Sequence, residues 1–531
     1  MQSAIGFLKQ RSNLVIVIVI IIVGFALYGN ALNNELFWDD DQFILENQYI
    51  RDFSNFPRFF SENVIAGALR QTDYWRPALL TVFAIEWHLW GPSPFGFHLT
   101  NTLFHLANAI VLFFILEKIF HRRWLSLFAS VIFLIHPLQT EAVSYANSLG
   151  DSLSVFFMFL GLIWYLKGKH VIYPLIAFAL ALMSKETAII FPALIFLAQF
   201  FTSNYPSPLM GEGGRRPGEG DLKAQAWLAF KKTLPYIGLA VLYILLRATV
   251  LNFGDSFNLY HEQNIFTSSV WVRILTFFRI LAVYFYLIFW PQILHMERSV
   301  DLATSFFQTD VILGALIFVT LLAIAFLGFK KYPVLTFGLL WFFIGLAPTS
   351  NIAVPINGLL YEHWLYVPII GIALAVFELG SRLVKNFPKL LKPVLAAVCL
   401  IFLALNIRTI ARNNDWDNSL RFYNQVLAYA PESYRVTNNL GMEYAERGFH
   451  EQAIFTYYKA IALDDSNPVA YHNLANSYRD TGKFDLAVKY YEKAIELDPK
   501  FFFSYAALYD FYTKQNKPDE AKKIQEAYES R

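Results

Sequence analysis

The chain has 531 residues, 56% of them hydrophobic and 18% aromatic against 16% charged, with a mean hydropathy of +0.40. A soluble domain this apolar would aggregate, whereas a helical protein that crosses a bilayer many times requires it. The net charge of +2 carries no bulk attraction for nucleic acid, and a single cysteine, Cys399 in an apolar stretch, rules out an intramolecular disulfide.

In chain order, residues 13–32 are almost wholly apolar. They can cross roughly 30 Å of hydrocarbon at about 1.5 Å per residue. Lys9 and Arg11 precede them, which predicts a cytoplasmic amino terminus and an external loop over 33–75. The span is too long for a cleaved signal peptide and lacks its small-residue cleavage site. Just beyond it stand three acids, Asp39-Asp40-Asp41, after Phe37-Trp38. Carboxylates among interface-seeking aromatics suit chemistry on a lipid-borne substrate. The plain alternative is a solvated acidic turn. Residues 77–90 are apolar but short, and Glu86 and His88 interrupt them. They read as an interfacial helix on the outer face, with Arg76 immediately before it.

Further spans are expected at 96–119, 124–138, 150–167, 171–184, 187–203, 234–252, 271–290, 309–329, 333–348, 364–381 and 391–411. Basic residues mark the cytoplasmic connections: Lys118, Arg122 and Arg123, then Lys167 and Lys169, Arg215 to Lys232, Lys330 and Lys331, and Arg382 to Lys392. The loops 136–151 and 349–363 and everything after 411 then face outward with 33–75. That arrangement needs an odd number of crossings, so the twelve candidates predict eleven, or thirteen with one hidden, the ambiguity lying in 171–290. The Gly- and Pro-rich stretch at about 204–225 is expected to be a disordered cytoplasmic loop. His98, Asn101 and His105 share one helix face. They serve either as a hydrogen-bonded stripe between helices or as lining of a substrate cavity. Ser184-Lys185-Glu186 places an ion pair at membrane depth, structural or functional. His136, Glu141 and Asp151 fall on or beside an outward loop.

After about residue 412 the composition becomes soluble, charged and helical with a 34-residue period. Leu440-Gly441, Tyr444, Gly448, Ala453, Tyr457 and Ala460 recur as Leu474-Ala475, Tyr478, Gly482, Ala487, Tyr491 and Ala494. A looser third copy holds Leu508, Tyr512, Ala521 and Ala527. This pattern resembles the tetratricopeptide repeat, with small residues where paired helices approach and large ones between them. The domain plan is thus a membrane domain over 1–411 and a helical solenoid over 412–531. The solenoid divides into a half repeat at 412–433 and repeats at 434–467, 468–501 and 502–531. Its first helix takes the last membrane span as partner, so Asn413-Asn414-Asp415-Trp416 is expected to be a rigid junction with Trp416 buried.

The motifs in series resemble the transmembrane and tetratricopeptide-repeat O-mannosyltransferases and their bacterial relatives. They are Trp38-Asp39-Asp40 with Ile44 and Asn47, Trp75-Arg76-Pro77, Phe97-His98-Leu99-Thr100-Asn101 with His105, and His136-Pro137 with Thr140-Glu141-Ala142-Val143. Asp151, Ser184-Lys185-Glu186, Asn351 and Tyr361-Glu362-His363-Trp364-Leu365-Tyr366-Val367-Pro368 complete the set. The resemblance covers essentially the whole chain. It implies an all-helical membrane glycosyltransferase of the GT-C class, with an acidic pair on the first external loop at Asp39 and Asp40. Two features depart from the family. Eukaryotic members usually carry more repeats, and His363 stands where many members have arginine.

The chemistry so implied is transfer of a sugar, mannose by analogy, from a polyprenyl phosphate to a protein hydroxyl outside the membrane, with the repeats recruiting the acceptor. A non-catalytic scaffold of an envelope complex and the same enzyme acting on a lipid or glycan are the alternatives. A donor that carries its own phosphate needs no nucleotide site, but the reaction needs a base and a partner for the departing phosphate. One of Asp39 and Asp40 is the candidate base. Arg76 is the first candidate for the phosphate, with Arg247 and His363 behind it. His98, Asn101, His136, Glu141, Asp151, Lys185, Glu186 and Glu362 are expected around the donor and acceptor cavity. No cofactor is assigned. A divalent cation, Mg2+ or Mn2+, at Asp39/Asp40 stays open, and a histidine-based metal site is not expected. The expected location is the plasma or inner membrane, with site and repeats on the external or periplasmic side, or the lumen of the endoplasmic reticulum in a eukaryote.

Overall fold

The computed structural model describes residues 2–204, 219–253, 264–298, 300–356 and 358–530. Most of the stretch expected to be a disordered loop at about 204–225 falls outside them. Among the described residues every regular element is helical.

Among the described residues, seven helices are long and apolar enough to cross a membrane: Ser12–Ala31, Pro94–Phe120, Ala146–Leu166, Leu222–Ala248, Val270–Phe289, Thr309–Gly328 and Pro388–Asn414. The chain is therefore an integral membrane protein. An eighth span is formed if Arg123–Ile135 and Pro137–Ser144 count as one, bent by 56°. The bend falls at His136, where Pro137 removes a backbone donor and pushes the preceding residue out of helical geometry. Three shorter apolar helices, Ile172–Ser184, Glu186–Thr202 and Pro333–Thr349, bring the set to eleven where each counts as a crossing. Residues 364–381, expected as a span, belong mostly to the helix Ile369–Asn386, whose second half carries Glu378, Arg382 and Lys385. Pro77–Trp90 is a separate helix that is not among the spans.

Helices in lipid gain little from hydrophobic exclusion, so close backbone approach and interhelical hydrogen bonds hold them together. Gly338 and Gly371 meet where two helices cross: a Cβ on Gly371 would sit 2.2 Å from the Gly338 carbonyl oxygen. The indole of the fully buried Trp341 donates to the Val367 carbonyl at 3.1 Å, tying the Tyr361–Pro368 segment to the same helix.

The chain divides into two compact units. The first comprises Met1–Met296 and Val300–Trp416, and the second Glu297–Ser299 and Asp417–Arg531. Within the first, the end of the last span is clasped to the first. Asn413 Nδ2 donates to the Leu27 carbonyl at 2.8 Å and to Asn30 Oδ1 at 3.0 Å, and Asn34 Nδ2 donates to the Asn413 carbonyl at 3.3 Å.

The second unit opens on the helix Ser419–Tyr429 and continues as three antiparallel pairs: Tyr434–Glu446 with His450–Leu463, Pro468–Asp480 with Phe484–Leu497, and Phe502–Lys514 with Pro518–Glu529. Ala453, Ala460, Ala475, Ala487 and Ala494 are fully buried where the helices touch, and Tyr457 and Tyr491 fill the space between. Gly448 and Gly482 take φ values of +78° and +74° between the helices of their pairs, and one period later Asn516 does the same at +55°. Glycine and, less readily, asparagine are the residues that enter that backbone turn at least cost.

Candidate functional site

The acidic loop is built on a backbone reversal. Trp38 sits at φ +64°, a region that a bulky side chain enters only at an energetic cost. A single π-helical turn, Asp41–Leu45, follows, a form that recurs at functional sites. The reversal separates two adjacent carboxylates. Asp40 is 1% exposed. One of its oxygens accepts from the Phe37 amide at 3.3 Å and the other from the Asn147 amide at 2.8 Å. Burial raises its pKa well above the usual range; the two amides oppose this, and the charges of Asp39 and Asp41 add to it. Asp40 is a strut that joins the loop to the start of the next helical segment. Ile44 and Asn47 are also buried, and Asn47 caps its own loop by accepting from the Tyr49 amide at 3.1 Å and donating to the Val64 carbonyl at 3.1 Å. Asp39 alone of the acidic pair remains partly exposed. Its amide donates to the Tyr145 hydroxyl at 3.1 Å. Trp416, 1% exposed, stacks with Phe37 at 6.2 Å and with Tyr145 at 5.2 Å, so it backs this loop.

Tyr74 lies among the charged groups. Its ring is 4.4 Å from the Arg76 guanidinium. Burial pushes its hydroxyl up to about 12, and it also feels Glu186, Arg76, Tyr361 and Asp39. Arg76 grips Glu186 in a two-point pair, Nε to Oε2 at 3.2 Å and Nη2 to Oε1 at 2.7 Å. This fork-to-carboxylate fit fixes both side chains in direction as well as in charge. The adjacent Lys185 pairs with Asp151 at 2.7 Å, both side chains 11% exposed. Two cations and two carboxylates thus stand side by side at the break between Ile172–Ser184 and Glu186–Thr202.

A small pocket opens beside them, lined among others by Asp151, Thr187, Thr349, His363, Trp364 and Tyr366. Glu141 is fully buried and organises this wall. Its Oε2 accepts from the amides of Glu362 and His363 at 3.0 and 3.2 Å, and its Oε1 lies 2.7 Å from His363 Nδ1. Glu362, also fully buried, accepts from the His295 amide at 2.7 Å and from Arg412 Nη2 at 3.3 Å. It anchors the segment and leaves His363 to the cavity.

The remaining candidates bridge elements. His98 Nε2 donates to the Asn34 carbonyl at 3.1 Å, and Asn101 donates to the Tyr145 carbonyl at 3.1 Å while accepting from Ser152 at 2.6 Å. His105 Nε2 donates to the Leu134 carbonyl at 3.2 Å, and its Nδ1 meets the Tyr366 hydroxyl at 2.8 Å. His136 Nε2 donates to the Ile288 carbonyl at 3.0 Å, and its Nδ1 accepts from the Leu138 amide at 3.3 Å. Arg247 turns its guanidinium to the carbonyls of Asp73 and, at 2.8 Å, Leu251. These groups hold the loops that form the cavity walls. Among the described residues no group of three or more His, Cys, Asp and Glu side chains has the geometry of a metal site. The two Asp40 oxygens are each turned to a backbone amide. Tyr74, Tyr145 and Thr187 escaped the sequence reading, because nothing in their local sequence distinguishes a site tyrosine or threonine from a packed one.

Residues 411–468 and 468–501 each match a tetratricopeptide repeat model. The chain is similar to the Mus musculus protein O-mannosyl-transferase TMTC3, 23% identical over 84% of this chain and 50% of that protein. It is also similar to a Caenorhabditis elegans protein O-mannosyl-transferase, F38B6.6, 24% identical over 86% of this chain and 63% of that one. Homo sapiens protein O-mannosyl-transferase TMTC4 is 24% identical over 82% and 64%. The chain spans between half and two thirds of the length of these relatives. The resemblance read from the motifs is the one these relatives carry.

Proposed function

We propose that this membrane protein is a glycosyltransferase that moves a sugar, mannose by its relatives' names, from a polyprenyl phosphate to a hydroxyl of a protein acceptor, on the external face of the membrane. The observation that carries the reading is the setting of Asp39. It is a partly exposed carboxylate that follows a strained turn, beside the buried Asp40 and with its own amide held by the Tyr145 hydroxyl. Asp39 is the base that takes the acceptor proton. Its buried neighbour Asp40 fixes the loop and takes no part in the proton transfer. As the acceptor oxygen attacks the anomeric carbon, the bond to phosphate oxygen breaks and negative charge grows on the phosphate. Arg76 and Lys185 are the cations assigned to meet it. Each is held in place by a carboxylate, so neither reorganises as the charge develops. The repeats present helical surfaces of the kind that bind extended peptides and are the natural place to recruit a protein acceptor.

The test is an assay of the purified protein with a panel of polyprenyl-phosphate sugars and, as controls, nucleotide sugars, reading released polyprenyl phosphate. Release from one polyprenyl-phosphate sugar, lost in Asp39→Asn, supports the reading. Normal cellular function of Asp39→Asn with no release from any donor would favour a scaffold.

A further inference from the structure

We infer that the Glu141–His363 pair is a built-in proton donor for the departing phosphate, which makes donor handling pH-dependent. The inference rests on the function proposed above. The pair has the geometry of a carboxylate that orients an imidazole. Glu141 is fully buried and makes all three of its hydrogen bonds to residues 362 and 363. With the carboxylate bound at Nδ1, that nitrogen carries a proton, and Nε2 is the ring nitrogen left to gain or lose one. The ring stacks on Tyr361 at 5.4 Å, lies edge-on to Trp364 at 6.2 Å, and lines the pocket together with Asp151 and Thr187.

The charged groups around the ring leave it this task. Glu141 is the carboxylate in contact with it. Asp151, which also lines the cavity, is neutralised by Lys185 at 2.7 Å, and Glu186 by Arg76 at the same distance. Glu362 is turned to Arg412, and the Tyr366 hydroxyl to His105. Arg76 and Lys185 are thus each held by a carboxylate, as His363 is by Glu141, and of the three the imidazole is the group suited to handing over a proton. That proton is needed at one step. A polyprenyl-phosphate sugar is a phosphodiester with one negative charge, and the polyprenyl phosphate that leaves it gains a second ionisation near pH 6. In the transfer, the acceptor proton passes to Asp39 and the acceptor oxygen bonds to the anomeric carbon. The anomeric carbon–oxygen bond breaks with its electron pair staying on the phosphate, and the Nε2 proton of His363 passes to that oxygen. Asp39 then returns its proton to water, and His363 is reloaded from it.

The protonated ring is the acid, so the sign is fixed: transfer falls as rising pH strips that proton. The experiment measures the pH profile of transfer, and separately the binding of the intact polyprenyl-phosphate mannose, whose charge does not change across the range. It compares the full-length wild type with His363→Arg and His363→Gln. We expect wild-type transfer to fall on the alkaline side and donor binding to weaken with it. His363→Arg, a fixed cation that cannot donate a proton usefully, should bind donor equally at every pH. His363→Gln should lose roughly 10²-fold or more in transfer at pH 6 and show no alkaline fall. An alkaline limb retained in both variants overturns the inference while leaving the proposed function standing. A wild type that turns over no polyprenyl-phosphate sugar at any pH overturns both.

Discussion

At Trp38 the left-handed backbone sends two neighbouring aspartates in different directions, and the difference is testable residue by residue. Asp39→Asn removes the base, so transfer should drop 10²- to 10⁴-fold, roughly. Asp40→Asn sets an amide against the Phe37 and Asn147 donors. One of those buried amides loses its acceptor, a cost of about 1–3 kcal/mol, which should appear as a lower melting temperature and higher proteolysis of the loop. Arg76→Lys keeps the cation but loses the fork that grips Glu186 at two points. Losing one charge-assisted hydrogen bond costs about 1.5–3 kcal/mol, so this variant should also melt lower, with transfer reduced. Tyr74 gives a pH signature. Its hydroxyl is pushed up to about 12, so phenolate absorbance, taken as wild type minus Tyr74→Phe, should still be absent at the ordinary tyrosine value near pH 10. The run of acids stands in the sequence, but not that Asp40 is buried while Asp39 stays partly exposed, because that depends on the fold of the loop. The contact of Glu141 with His363 joins residues 222 positions apart, and no spacing rule reaches that far.

The elements were read with uneven success, and the reason is length. Long apolar runs such as Thr309–Gly328 announce themselves. The 13-residue helix Ile172–Ser184 rises only about 20 Å, so hydropathy alone cannot say where it ends or whether it crosses with its neighbour. The repeats were legible because identical contacts recur every 34 residues: the turn at Gly448, Gly482 and Asn516 returns at the same step as the buried tyrosines. His98, Asn101 and His105 lie along one helix, and every member bonds a neighbouring element. At the helix crossing, Gly371→Leu should clash with the Gly338 backbone and lower the melting temperature of the detergent-solubilised protein by several degrees. Gly238→Ala is the matched control, since nothing lies within 4 Å of where its Cβ would stand, and it should melt as the wild type does. Trp416, expected as a junction residue, is buried against Phe37 and Tyr145. Trp416→Ala should therefore lower transfer by loosening the loop under Asp39, a loss seen in kcat with donor binding kept.

For the whole molecule, the candidate chemistry lies in the first unit and the repeats in the second. Cutting the chain after Trp416 should spare slow hydrolysis of the donor by water, because Asp39, Arg76, Lys185 and His363 are all retained. It should raise the KM for a protein acceptor, the usual effect of removing remote binding energy. The division of labour is central to the account, and Asp39 is its most exposed point. The most direct measurement is single-turnover transfer of mannose from polyprenyl-phosphate mannose to a protein acceptor by the full-length protein in nanodiscs, wild type against Asp39→Asn, with donor binding measured alongside. The account predicts equal donor binding and a transfer rate lowered by at least roughly 10²-fold. Equal transfer rates in the two proteins would contradict it.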